Sequence, residues 1–294
     1  MRPEPTDTED RVEAALRADL ARGDGVTAGV APVLRHLLVH DDREFMADDV
    51  LASLRGMIGH AASQLSDQDE GDHPELTAAL VDVPGLVPLA HALALETHVT
   101  RRLQSVQGFD PVLSPLLQAL IASDDGETAA LAMQVLAAQA RFVQQQRRMQ
   151  WPLGEWPAEL LHGALSVDAA APERIAALRA DYDEGATRLG LLARLIGVMG
   201  PGVVAALDLP HAGVAIFASA LAHVSGQDRG QALLSLLSRH KARLVLGLKA
   251  GGVSSAHVEA TLLALHPGAT PPEGLSRITP ERAATLLHPS GGKS

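Results

Sequence analysis

Apolar residues recur at three- and four-residue steps along most of the chain, and the breaks between these stretches carry glycine, proline or a helix-capping residue. Thr6-Asp7-Thr8-Glu9 has capping-box spacing and opens a helix expected to reach Arg22, with Gly23 behind it. Val30, Val33, Leu34, Leu37 and Leu38 set one face of a second helix over 30–40, and Asp41 or Asp42 caps a third that runs to Leu65. The polar run 66–72 reads as a loop, after which Asp72-His73-Pro74-Glu75 starts a short helix. Leu95, Val99, Leu103 and Val106 mark a long helix over 85–107 that Gly108 stops. Asp110-Pro111 opens the next, and Ser123-Asp124-Asp125-Gly126 closes it. The helix over 127–149 is apolar nearly all round in its first half, which predicts a buried central element, and turns polar from Gln144 to Arg148.

Near the midpoint, Gln150-Trp151-Pro152-Leu153-Gly154-Glu155-Trp156-Pro157 holds both tryptophans of the chain, each followed by proline. Proline lacks an N–H and disfavours helix in its predecessor, so this stretch ends one helix and starts another, and the indoles are expected to plug the meeting of two helical layers. The pattern divides the chain into an N-terminal helical domain over 1–149, a Trp-Pro junction over 150–156 and a C-terminal helical domain over 157–294. In the latter, helices are expected over 157–165, 172–199 with a bend near Gly185, 203–207, 211–224, 228–249 with a break, 255–265 and 280–287. The fold class is all-α, a multi-helical array of antiparallel helix pairs with no significant sheet.

Two echoes raise a HEAT-like stacking of helix hairpins. Residues 119–143 can be laid over 220–245 with one gap, and Leu265-His266-Pro267-Gly268 is matched by Leu287-His288-Pro289-Ser290. No fixed period extends over three units.

Composition sharpens the picture. Only 2% of residues are aromatic, which favours helices packed through small and aliphatic side chains. No cysteine is present, which removes disulfides, thiolate catalysis and Cys-ligated metals and suits a cytoplasmic location. The acidic, polar start is expected to be no signal peptide, and the apolar reach over 203–224 is broken by Asp208, Pro210 and His211, so two buried helices are expected there and no membrane span. The net charge of −11 is concentrated at the front: residues 1–75 hold 7 arginines and 17 acidic residues, leaving 17 basic against 18 acidic in the rest. Such a balance argues against nucleic acid and is compatible with protein partners and with homo-oligomers. Three lysines against 21 arginines point to a GC-rich bacterial coding bias.

The segment 213–265 runs through Phe217-Ala218-Ser219-Ala220-Leu221, the turn Ser225-Gly226-Gln227-Asp228-Arg229, Leu233-Leu234-Ser235-Leu236-Leu237 and Leu248-Lys249-Ala250-Gly251-Gly252-Val253-Ser254 into Ala260-Thr261-Leu262-Leu263-Ala264-Leu265. It resembles the C-terminal part of the bacterial all-helical family called domain of unknown function 2336. The resemblance implies a helical fold and a bacterial origin, and transfers no functional residue.

Candidate chemistry is sparse. His36 and His40 stand one helical turn apart, followed by Asp41, Asp42 and Glu44, and could present two imidazoles and a carboxylate to one ion. His40-Asp41 is similar to the paired ligands of the helical HD phosphohydrolases, which need a further histidine upstream, whereas His36 is the first in this chain. A metal-dependent hydrolase over residues 36–44 is therefore one alternative, and a binder of apolar ligands between helices another. His40, His223, His240, His266 and His288 fall at expected helix ends, where imidazoles meet unpaired carbonyls, and His91 and His98 share a polar helix edge. No Gly-x-Ser-x-Gly elbow exists, and Gly292-Lys293-Ser294 lacks the rest of a phosphate loop. The favoured expectation is a non-enzymatic helical scaffold or regulatory protein with no cofactor. Its protein-binding surface is expected at Asp228, Arg229, Lys241, Arg243 and Lys249, where lysines mix with small apolar residues.

Overall fold

The computed structural model describes residues 11–22, 24, 48–66, 73–167, 172–237, 240–272 and 274–288. Among them every regular element is helical, and no strand occurs. The chain groups into two compact units, 30–198 and the pair 1–29 with 199–294.

The first unit contains α2 (Asp48–Leu65), α3 (Pro74–Val81), α4 (Leu86–Gln107), α5 (Pro115–Ile121), α6 (Gly126–Arg147), α7 (Ala158–Leu165), α8 (Pro172–Asp181) and most of α9 (Arg188–Met199). Local chemistry fixes their ends. Gly85 and Gly108 flank α4 in the left-handed region, at φ 83° and 71°, where a side chain would be strained. Asp110, expected to start a helix, instead accepts the N–H groups of Val112 and Leu113 in a turn, and Ser114 caps α5 through the Leu117 N–H. Asp125 caps α6 by accepting the Thr128 N–H. α6 is buried along one face only, through Leu131, Ala132, Val135, Ala138 and Phe142, while Met133 is 50% exposed. The helix expected to be central is thus amphipathic, and α4 is the buried element, with Leu86, Val87 and every residue from Ala90 to Glu96 inside. The span 172–199 does not bend at Gly185. It breaks completely, because Asp183 accepts the Gly185 N–H and a 3₁₀ turn, Glu184–Ala186, intervenes.

The second unit combines α1 (residues 11–22) with α10 (Leu209–Ser225), α11 (Arg229–Leu234), α12 (Lys241–Ala250), α13 (Ser255–Leu265) and α14 (Pro280–Leu287). α12 is its axis, buried from Ala242 to Lys249. Gly247 lets it approach α10, since a Cβ there would meet Leu221 at 2.9 Å. α1 buries Val12, Leu16 and Leu20, and its Glu13 accepts both arms of the Arg282 guanidinium from α14.

The grouping differs from the boundary expected at 150–156. Trp151 and Trp156 are 3% and 0% exposed and stack on each other with centroids 4.3 Å apart, so the junction is interior to one unit, and α1 belongs with the C-terminal helices. One helical stretch, Arg188–Leu207, is long and apolar enough to cross a membrane by length and composition, with hydropathy 1.8 and 33% of it buried. It changes from α to 3₁₀ geometry at Gly200 and carries a buried, ion-paired arginine at its start.

Candidate functional site

Of the five residues expected to form a binding surface, Arg243 and Lys249 are buried, Arg229 and Lys241 are half-buried and Asp228 is exposed. Asp228 caps α11 by accepting the Gln231 N–H at 2.9 Å, and Arg229 reaches across to α10, donating to Ser219 Oγ at 3.0 Å and to the Ala215 carbonyl. Arg243 is 9% exposed, donates to Gln227 Oε1 at 2.8 Å and pairs with Asp24; Lys249 is 8% exposed, its Nζ 3.5 Å from Ser255 Oγ. Lys241 stands half-buried at the first turn of α12. The reason is burial by hydrocarbon stem: long cationic side chains lie along the apolar α12 and satisfy their heads on neighbouring elements. His36, His40, Asp41, Asp42 and Glu44 lie outside the described residues, and among the described ones no group of three or more histidine, aspartate or glutamate residues could hold a metal ion. His98 of the expected histidine edge pairs with Asp49 at 2.8 Å, while His91 is buried and its pKa is pushed down to about 4 by desolvation.

The polar centre of the first unit surrounds the Trp-Pro loop. His60 Nδ1 lies 3.3 Å from the Trp151 N–H, Gln64 donates to the Trp151 carbonyl and accepts the Leu153 N–H, and Tyr182 donates to the Trp156 carbonyl. Glu155 accepts the Arg188 N–H at 2.8 Å. Inside this ring Arg188 is 4% exposed and Glu96 1%; the guanidinium forms a two-pronged pair with Glu96, donates from Nε to Gln139 at 2.7 Å and lies 3.7 Å over the Phe142 ring. A buried charge requires such saturation, and every arm of this one is used.

Next to this network a cleft of about 60 Å³ opens between α4 and α6. Thr97 Oγ1 stands 3.5 Å from Gln146 Oε1, and Gln139 Nε2 donates to the carbonyl of Pro111, just beyond the end of α4, so the helices run antiparallel here. Thr97, Thr100, Arg101 and Gln104 form the α4 wall at three- and four-residue steps; Gln139, Phe142, Val143, Gln146 and Arg147 form the α6 wall. Gln139, Phe142 and Gln146 are buried, so the floor is fixed, while Arg101 and Arg147 are exposed at the rim. Neither rim arginine has an ion-pair or hydrogen-bond partner among the described residues, and no lining residue is acidic. In a chain of net charge −11 this is a local cationic site. Its sequence signal was present, as a polar row on α4 and a mixed polar and apolar row on α6 at helical spacing, yet each row alone reads as an ordinary helix face. Only the antiparallel pairing brings them together.

Comparison with known proteins finds no matching family, no matching characterised protein and no matching solved structure. The likeness to domain of unknown function 2336 is carried by the quoted residues alone.

Proposed function

We propose that this protein is a non-enzymatic helical scaffold or regulatory protein that binds another protein, and that the face formed by α4 and α6 is where the partner sits. The observation that supports this reading is the pair of rim arginines, unpartnered among the described residues, over a rigid, buried floor. Interfaces are anchored by a few residues, arginine prominent among them, set in pockets with preorganised walls. The cleft is well below the roughly 300–1,000 Å³ of small-molecule sites. It is sized for one side chain of a larger molecule.

The repeat-like helix pairing, the bacterial origin and the cytoplasmic setting belong to the same proposal. They are supported by the echo of 119–143 in 220–245, by arginine usage and by the lack of cysteine. The interaction surface moves from α11 and α12 to α4 and α6, because Arg243 and Lys249 of α12 are consumed internally. The test is capture from host lysate by the full chain and by Arg101→Glu/Arg147→Glu, with bound proteins identified by mass spectrometry. Proteins retained by the wild type and lost from the variant, at unchanged melting temperature, support the reading. Identical captured sets from both chains overturn it.

A further inference from the structure

The α4–α6 cleft has a chemical preference that its donors define. We infer that it is a carboxylate site, taking a glutamate or aspartate side chain from an acidic segment of the partner; this deepens the proposed function and rests on it.

Among the described residues, the donors facing the cleft that no partner uses are the guanidinium groups of Arg101 and Arg147, the Thr100 hydroxyl and the Gln104 amide. The amide of Gln139 is occupied by Pro111, and that of Gln146 by the Gln150 carbonyl at 3.3 Å. Planar guanidinium forks match a carboxylate in two-pronged geometry, with charge-assisted hydrogen bonds. The Phe142 floor, backed by Arg188, gives the methylenes of a glutamate an apolar seat. Arg188 itself is neutralised by Glu96, so the site's surplus charge comes from the rim.

A phosphate fits less well. Dianion sites draw on helix N-termini and clustered backbone N–H groups, whereas Arg147 lies in the last turn of α6 at the negative end of its dipole. A nucleic acid would bring many charges to a chain whose net charge is −11 and find two arginines lining this cleft. One carboxylate at a time, from a protein segment, is the load this cleft matches.

The experiment uses the full chain and a fluorescein-labelled, end-blocked hexaglutamate peptide as probe, read by anisotropy at low salt, with hexaglutamine as the uncharged control. Saturable hexaglutamate binding is expected, weakened about tenfold or more by Arg101→Gln/Arg147→Gln, with an unchanged circular dichroism spectrum and melting temperature. Glutarate should displace the probe at lower concentration than inorganic phosphate. The inference is overturned if hexaglutamate fails to bind, if the double variant binds it equally, or if phosphate is the better competitor. It is also overturned if the arginines serve a second copy of this chain, seen as a concentration-dependent dimer that the double variant abolishes. Capture of a host protein that needs both arginines but is untouched by hexaglutamate would leave the binding face standing and remove the carboxylate chemistry. If neither depends on the arginines, both readings fall.

Discussion

Two regions of this protein are rich in cationic side chains, and they use them in opposite ways. On α12, Arg243 and Lys249 are buried and tied to Gln227, Asp24 and Ser255, so their charges hold the second unit together. Along the α4–α6 cleft, Arg101 and Arg147 stand exposed over a floor whose own polar groups are already matched. The contrast shows that a cation's availability for binding is set by what its neighbours have consumed. A run such as Lys241 to Lys249, with small apolar residues between the charges, resembles an interaction face in one dimension and is the axis of a core in three. The comparison can be broken by asking which cations stability needs.

The largest effect is expected at Arg188. Arg188→Ala leaves Glu96 buried without its counter-charge and empties the Phe142 face, which should cost about 3–5 kcal/mol. Urea unfolding at neutral pH measures it. A loss below about 1 kcal/mol would mean that the pair is not buried as described. Glu96→Gln on the same background should recover part of the loss, since the orphaned charge is then gone.

His91 solves the burial problem in a third way, by staying neutral. Its pKa in the fold is about 4 because of desolvation, against 6.5 ordinarily. The unfolded chain therefore takes up a proton near pH 6.5 that the folded chain accepts only near pH 4. Between these values the unfolded state binds more protons, and stability falls as the pH falls through the window. The shift corresponds to about 3 kcal/mol at most. His91→Leu should flatten the pH dependence of the urea midpoint between pH 6.5 and 4. Glu13, whose carboxyl is held below its usual range chiefly by the hydrogen bond from Arg282, loses its contribution as the pH falls from the ordinary 4.5 through its lowered value. An unchanged pH profile in the His91 variant would place the acid sensitivity elsewhere.

Arg243→Glu comes next, at about 2 kcal/mol or more, because it sets a buried carboxylate beside Gln227 and Asp24. A fall in melting temperature is the expected result. A variant that melts like the wild type but loses a binding partner would return α12 to the surface role that its composition implies.

How much of this was legible in sequence depends on the range of the interaction concerned. The all-α class, the stop of α4 at Gly108 and the break between α11 and α12 are local, written in residues a few positions apart. The burial of both indoles was legible too, because so few other aromatics compete for the core. The unit boundary was not. α1 is bound to α14 through Glu13 and Arg282, 269 residues apart, and no spacing rule sees that far. The cleft failed to appear for the same reason: Thr97 and Gln146 each sit on an ordinary helix edge until antiparallel packing sets them 3.5 Å apart. The pair His36 and His40, the clearest motif for metal chemistry, lies outside the described residues.

The smallest effect on stability, and the one that separates the two cationic regions most cleanly, is expected at the rim. Arg101→Gln and Arg147→Gln remove exposed charges that no described residue uses, so each should shift stability by no more than about 0.5 kcal/mol. Loss of like-charge repulsion across the cleft makes a slight gain reasonable, and a rise in ionic strength should shrink it, since screening acts on exposed charges first. Thermal melts of the single and double variants at low and high salt decide the matter. If the double variant loses more than about 1 kcal/mol, the rim arginines are structural, like Arg243 and Lys249 of α12, and the distinction between the two regions fails. If it melts like the wild type, conserving the fold while the cationic site is gone, the arginines are present for something the chain itself does not contain.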